Sequence, residues 1–170
     1  MKQKVFNVLI SLVVGVLGAI QVYYCSKEDK PPEINGVLHI DDKEKQPDFF
    51  SKSPQEGLIE ALEYYDVKHP NIVQAQAILE TGNFTSERCL VDNNLFGLYD
   101  SKSQRYYSFD HWISYVEAYV SMVQYKYKGD NDKPPNHYYK FLQDIGYAKD
   151  SHYINKVKEI VKQNDKRRSE

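Results

Sequence analysis

From Ser53 onward, prolines and glycines cut this 170-residue chain into segments whose apolar residues recur every three to four positions, a pattern that short helices satisfy and long strands do not. Ser53-Pro54-Gln55-Glu56 reads as a capping box with proline at the first helical position. Leu58, Ile59, Leu62 and Tyr65 follow at helical spacing and predict a helix over 54–66. His69-Pro70 opens a second, with Ile72, Val73, Ala77 and Leu79 as its apolar face and Gly82 as its stop. Asp92-Asn93-Asn94 is a run of turn formers leading into Leu95-Phe96, and Tyr99 to Phe109 suits a small hairpin around a polar loop. Trp112, Ile113, Val116, Tyr119, Val120 and Val123 predict a long helix ending near Gly129. Pro134-Pro135 opens another that runs to Gly146, and Asp150 caps the last, with Ile154, Val157, Ile160 and Val161 facing inward. The expected domain, 53–170, is mainly helical with one small β element and no internal repeat.

Ahead of it lie two segments of different character. Lys2 and Lys4 precede an almost unbroken apolar run from Val5 to Tyr24, which as a helix would reach about 30 Å and cross a bilayer core. Residues 1–25 therefore read as an export signal or an amino-terminal anchor. The uncleaved anchor is favoured, because Leu17-Gly18-Ala19 interrupts the run where a cleavage site should follow it, and Tyr23-Tyr24 stand where small residues precede a lipidated cysteine. Lys2 and Lys4 would then stay cytoplasmic, placing the rest in the cell envelope beyond the inner membrane. Residues 26–52 hold five Lys, seven Asp or Glu and three Pro, which reads as a solvated linker.

Composition removes several function classes. With 22 Lys or Arg against 24 Asp or Glu there is no basic excess for nucleic acid. Two Cys make no disulfide framework, and the five His pair with neither Cys at metal-ligand spacing, so neither metal nor cofactor is expected. What stands out is tyrosine, 15 residues against one Trp. A Tyr ring offers an apolar face to the carbon side of a sugar and a hydroxyl for its rim. Tyr115 and Tyr119 sit at helical spacing among apolar neighbours and are expected in the core, whereas Tyr99, Tyr106 and Tyr107, around the hairpin, are candidates for a sugar-binding cleft.

Glu80 is the candidate acid. It follows Gln76 by four residues and Val73 by seven, so it projects from the side of its helix that carries part of the apolar stripe. It also lies in the last helical turn, at the negative pole of the helix. Desolvation and that pole both disfavour a carboxylate, and a carboxyl kept protonated near neutral pH is what general acid catalysis requires. Cys89 reads as a small buried hydrophobe, and Lys166-Arg167-Arg168 as a solvated helix end.

Three ordered motifs carry a family likeness. Ala75-Gln76-Ala77-Ile78-Leu79-Glu80-Thr81-Gly82 with Ser86, then Asn94-Leu95-Phe96-Gly97, then Gly146-Tyr147-Ala148-Lys149-Asp150 with Tyr153, resemble the bacterial endo-β-N-acetylglucosaminidases of the flagellar-type peptidoglycan hydrolases, over roughly Gln55 to Gln163. The resemblance implies a lysozyme-like fold, cleavage of peptidoglycan glycan strands, and Glu80 as catalytic acid; a monomer is expected. It further implies that Asn94 and Phe96 shape the cleft floor and that Tyr147 and Tyr153 line the sugar subsites.

The chain departs from that family in one respect. Better-known members place a long β lobe after the Asn-Leu-Phe-Gly motif, carrying a second acid, whereas here Asp100 and Asp110 are the only acids between Gly97 and Trp112. Asp100 is the candidate partner if the hairpin folds over Glu80; beside Ser101 it also suits a turn. Otherwise the substrate's N-acetyl oxygen can take the partner's place. A lytic transglycosylase with the same acid, and a glycan-binding envelope module that does not cut, are the alternatives.

Overall fold

The computed structural model describes residues 46–170. The amino-terminal anchor or signal over 1–25, and most of the linker, lie outside the described residues. Among the described residues no helix is long and apolar enough to cross a membrane.

Six helices and one hairpin follow in order: α1 (Pro54–Tyr64), α2 (Pro70–Thr81), α3 (Glu87–Asp92), β1 (Tyr99–Asp100), β2 (Arg105–Tyr106), α4 (Trp112–Met122), α5 (Pro135–Asp144) and α6 (Tyr153–Ser169). The α-rich architecture matches the expectation. At the head of α1 the Ser53 amide and hydroxyl both donate to the Glu56 carboxylate, at 3.3 and 2.8 Å, and hold that carboxyl below its ordinary pKa. α2 packs against both α1 and α6, and α1 also packs against α4. The core they share includes Leu58, Leu62, Val73, Ile113, Val116, Tyr119, Leu142 and Val157, all at most 1% exposed. Each such apolar side chain contributes about 1.5–3 kcal/mol by leaving water. β1 and β2 pair antiparallel, Tyr99 opposite Tyr106 and Asp100 opposite Arg105.

Ordered structure begins before the capping box. A 3-10 turn over Asp48–Ser51 buries Phe49, whose ring meets Tyr64 edge-on at 5.3 Å. The Trp112 indole donates to the Lys52 carbonyl at 3.0 Å. Gly57 makes the approach possible, since a Cβ there would lie 3.1 Å from Lys52 Cβ and 3.2 Å from both the Phe49 carbonyl oxygen and Trp112 Cζ2. The charged composition that suggests a linker up to residue 52 thus contains one aromatic anchor at its end.

One helix is not expected from the sequence, and another ends earlier than expected. α3 carries no apolar stripe, since Leu90 and Val91 are both exposed, so periodicity does not show it. Its start is marked by Ser86, whose hydroxyl accepts from the Cys89 amide at 3.2 Å. α4 stops at Met122 instead of running to near Gly129. A 3-10 turn, Gln124–Lys126, takes over there. It lets the Gln124 side chain pair with both backbone groups of Lys68: the Lys68 amide donates to Oε1 at 3.1 Å and Nε2 donates to the Lys68 carbonyl at 3.0 Å. Two long-range hydrogen bonds thus replace one helical turn.

Candidate active site

α2 presents Glu80, one residue before its end, and ends as the sequence indicates. Gly82 is left-handed at φ 58°, its amide reaches the Leu79 carbonyl, and the Asn83 amide reaches that of Ile78 at 2.8 Å, the paired bonds of a Schellman motif. Thr81 closes the turn inside, its hydroxyl donating to the Ala77 carbonyl and accepting from the Phe84 amide, both at 2.7 Å. Asn83 and Phe84 are left-handed as well, at φ 62° and 63°. For the buried Phe84 that conformation costs about 1–2 kcal/mol, and the Thr81 hydrogen bond helps hold it. The segment following Glu80 is thereby turned sharply away from the helix axis.

Glu80 itself is partly exposed, but its Oε1 is buried without a hydrogen-bond partner among the described residues. Burial lifts its pKa from 4.5 to about 7, and the neighbouring Tyr153 hydroxyl opposes the rise. Tyr147 and Tyr153 are the phenols whose own titration the Glu80 charge disfavours. Both are buried, their rings 5.6 Å apart, and the Tyr147 hydroxyl has no partner. The turn that puts Tyr147 there ends α5: Gly146 is left-handed and the Tyr147 amide reaches the Leu142 carbonyl at 2.9 Å.

The Asn-Leu-Phe-Gly motif lies below the surface. Phe96 is fully buried, its ring 4.6 Å from that of Tyr119. Asn94 donates from Nδ2 to the carbonyls of Leu98 and Tyr107, at 3.3 and 3.4 Å, and so ties the strand entering the hairpin to the strand leaving it. Asn94 and Phe96 thus hold the hairpin to the core.

Asp100 is a turn residue. Its carboxylate accepts from the amides of Lys102 and Ser103, at 2.9 and 3.3 Å, and hydrogen bonding, from the Ser103 side chain first and then from these amides, holds its pKa below the ordinary value. It is not among the groups that act on Glu80. Across the hairpin the Tyr99 and Tyr106 rings meet at 5.0 Å, and the Arg88 guanidinium of α3 lies 3.8 Å over Tyr106. Tyr107 stacks with Phe109 and its carbonyl accepts from the Tyr115 hydroxyl. Glu80, Tyr147 and Tyr153 are therefore brought together, while Tyr99, Tyr106, Tyr107 and Asp100 cluster at the hairpin. Among the described residues no cluster of His, Cys, Asp or Glu is arranged to hold a metal ion.

One participant escapes pattern reading. Gln76, one turn before Glu80 on the same face, is completely buried and donates from Nε2 to the Tyr153 hydroxyl at 3.3 Å. Its signals in the sequence are a glutamine within an apolar helical stripe and its place in the motif that ends at Gly82.

Backbone comparison supplies the class. The fold is similar to that of the catalytic domain of the autolysin Auto from Listeria monocytogenes, with a TM-score of 0.51 at 18% identity, covering 72% of this chain and 88% of that one. More specifically, the chain belongs to the glucosaminidase family: the family model described as mannosyl-glycoprotein endo-beta-N-acetylglucosaminidase matches residues 55–166. The domain is by family a glycoside hydrolase. A comparison with curated proteins finds no match.

Proposed function

We propose that the domain hydrolyses the β-1,4 bonds of peptidoglycan glycan strands, as an endo-N-acetylglucosaminidase, with Glu80 as the general acid. The observation that carries this is a carboxyl at a helix end, half protonated near pH 7 because it is buried and not because a second carboxylate crowds it. Protonated Glu80 gives its hydrogen to the glycosidic oxygen as the bond from that oxygen to the anomeric carbon breaks. The carboxylate so formed then takes a proton from the incoming water. Opposite charge at the anomeric carbon is met by the substrate's own acetamido oxygen, which bonds to that carbon until water displaces it. The position of Asp100 supports giving this part to the substrate, since its carboxylate is engaged by the hairpin amides.

The hairpin rings of Tyr99 and Tyr106 supply a stacking surface for a glycan strand. The same lone acid also fits a lytic transglycosylase, in which an internal hydroxyl replaces water; the mass of the products separates the two. The apolar run over 5–24 supports tethering of the enzyme to the inner membrane, where it would act on nearby wall. The test is a peptidoglycan zymogram of the parent and Glu80→Gln proteins. Clearing by the parent and none by Glu80→Gln is expected; equal clearing refutes the assignment, and none by either supports a module that only binds glycan.

A further inference from the structure

Behind Glu80 runs an uninterrupted line of buried polar side chains, none more than 7% exposed. It begins at Gln124, clamped by the Lys68 backbone through Lys68 N–H to Oε1 at 3.1 Å and Nε2 to Lys68 C=O at 3.0 Å. An amide can only donate and a carbonyl only accept, so this pair fixes which end of the Gln124 side chain bears the hydrogens. Nε2 then also donates to the Tyr138 hydroxyl at 2.6 Å. Tyr138 and Tyr119 are joined oxygen to oxygen at 2.9 Å, Tyr119 donates to Gln76 Oε1 at 2.9 Å, and Gln76 Nε2 donates to Tyr153 at 3.3 Å.

Each tyrosine has one hydrogen. Tyr119 uses its own on Gln76, so the bond between the two phenols must be donated by Tyr138, which itself accepts from Gln124. The Tyr153 oxygen accepts from Gln76, so its own hydrogen is free to turn to the neighbouring Glu80 carboxyl, whose Oε1 is buried without a partner among the described residues. Beyond Gln124, whose Nε2 also donates back to the Lys68 carbonyl, the donors point one way, toward Tyr153.

We propose that Gln124, Tyr138, Tyr119 and Gln76 are positioning residues of one chain, polarised at the Lys68 backbone, that presents the Tyr153 hydroxyl to Glu80 as a donor and so tunes the proton affinity of the acid. This rests on the reading of Glu80 as that acid. A core made only to pack would leave these hydroxyls and amides out, because each costs desolvation unless fully paired. A fixed donor at the acid does something packing cannot: it favours the carboxylate and offsets part of the effect of burial, leaving the proton transferable. The titratable groups facing Glu80 are Tyr147, from the turn after α5, and Tyr153, from α6; neither titrates near neutral pH, so the chain's polarity is what sets the balance.

The experiment is a carbon-13 carboxyl NMR titration of Glu80 in the folded protein without substrate. Tyr153→Phe removes the donor and is expected to raise the Glu80 pKa by about one pH unit. Tyr119→Phe deletes one oxygen more remotely; it frees Gln76 to turn its carbonyl toward Tyr153 and capture that hydrogen, with a rise of about half a unit. Gln124→Met removes the anchor at nearly constant length and is expected to move Glu80 in the same direction by less, which keeps the test intact should Tyr119→Phe not fold. Tyr127→Phe, a buried tyrosine bound to His69 and His137 outside the chain, should leave Glu80 where it is. A folded Tyr119→Phe or Gln124→Met protein whose Glu80 titrates as in the parent overturns the proposal, as does an equal shift in Tyr127→Phe. The pH profile of kcat/KM on peptidoglycan is recorded in parallel. If Glu80 shifts in the titration while the profile stays put, the chain stands and the assignment of Glu80 as the acid fails.

Discussion

A carboxyl buried for catalysis should cost the fold stability, and the cost should depend on pH in a calculable way. In the folded chain Glu80 titrates near 7, against 4.5 when unfolded. Below about pH 4.5 both states hold the proton and Glu80 contributes no difference. Between the two values the folded state binds more protons than the unfolded one, so stability falls as pH rises, and the loss is complete above about pH 7. The interval corresponds to about 3 kcal/mol. Glu80→Gln keeps size and shape and cannot ionise. The variant is therefore expected to match the parent near about pH 4.5 and to exceed it by up to about 3 kcal/mol near about pH 8.5. In a domain of this size that is about 10 °C in Tm. Thermal unfolding followed by circular dichroism, parent against variant at both pH values, reads it without any substrate. A Tm difference that is the same at both pH values would show that Glu80 is not held protonated by the fold, and the physical basis of its acid role would go with it.

The remaining expectations concern rate, the hairpin and the domain's start. Because the acid must carry its proton, kcat/KM is expected to fall as pH rises through about 7, read from initial rates on solubilised peptidoglycan. Asp100→Asn keeps an acceptor for only one of the Lys102 and Ser103 amides, which bond different carboxylate oxygens, and should still change kcat by less than about tenfold, against a loss of at least about a hundredfold for Glu80→Gln; a comparable loss would assign Asp100 a catalytic part. Phe49→Ala empties the site beside Tyr64 and should cost about 3–5 kcal/mol in urea unfolding, whereas a change below about 1 kcal/mol would show that 48–51 are not part of the folded unit.

Local chemistry explains which parts of this molecule are legible in the chain. Pro54 and Pro70 cannot donate inside a helix and stand at its first turn, and Gly82 takes a left-handed turn that other residues resist, so the limits of α1 and α2 follow from single residues and their neighbours. The position of Glu80 on the inner face and at the negative end of α2 follows in the same way, from spacing alone. The core placement of Tyr115 and Tyr119 is likewise a matter of period, and both are fully buried.

Decisions made across long stretches of chain are not legible. α4 stops six residues after Val116 because Gln124 finds the backbone of Lys68, 56 residues away, and no local preference encodes that encounter. α3 has no buried stripe, so its helicity rests on the Ser86 cap and on the Arg88 contact with Tyr106, which only the folded hairpin brings near. The sequence determines that a carboxyl stands where loss of water and the helix pole both disfavour its charge. Only the tertiary structure decides that Tyr153, Gln76, Tyr119, Tyr138 and Gln124 line up behind it, because hydrogen bonds among buried groups depend on ångström-scale placement by four helices and a turn.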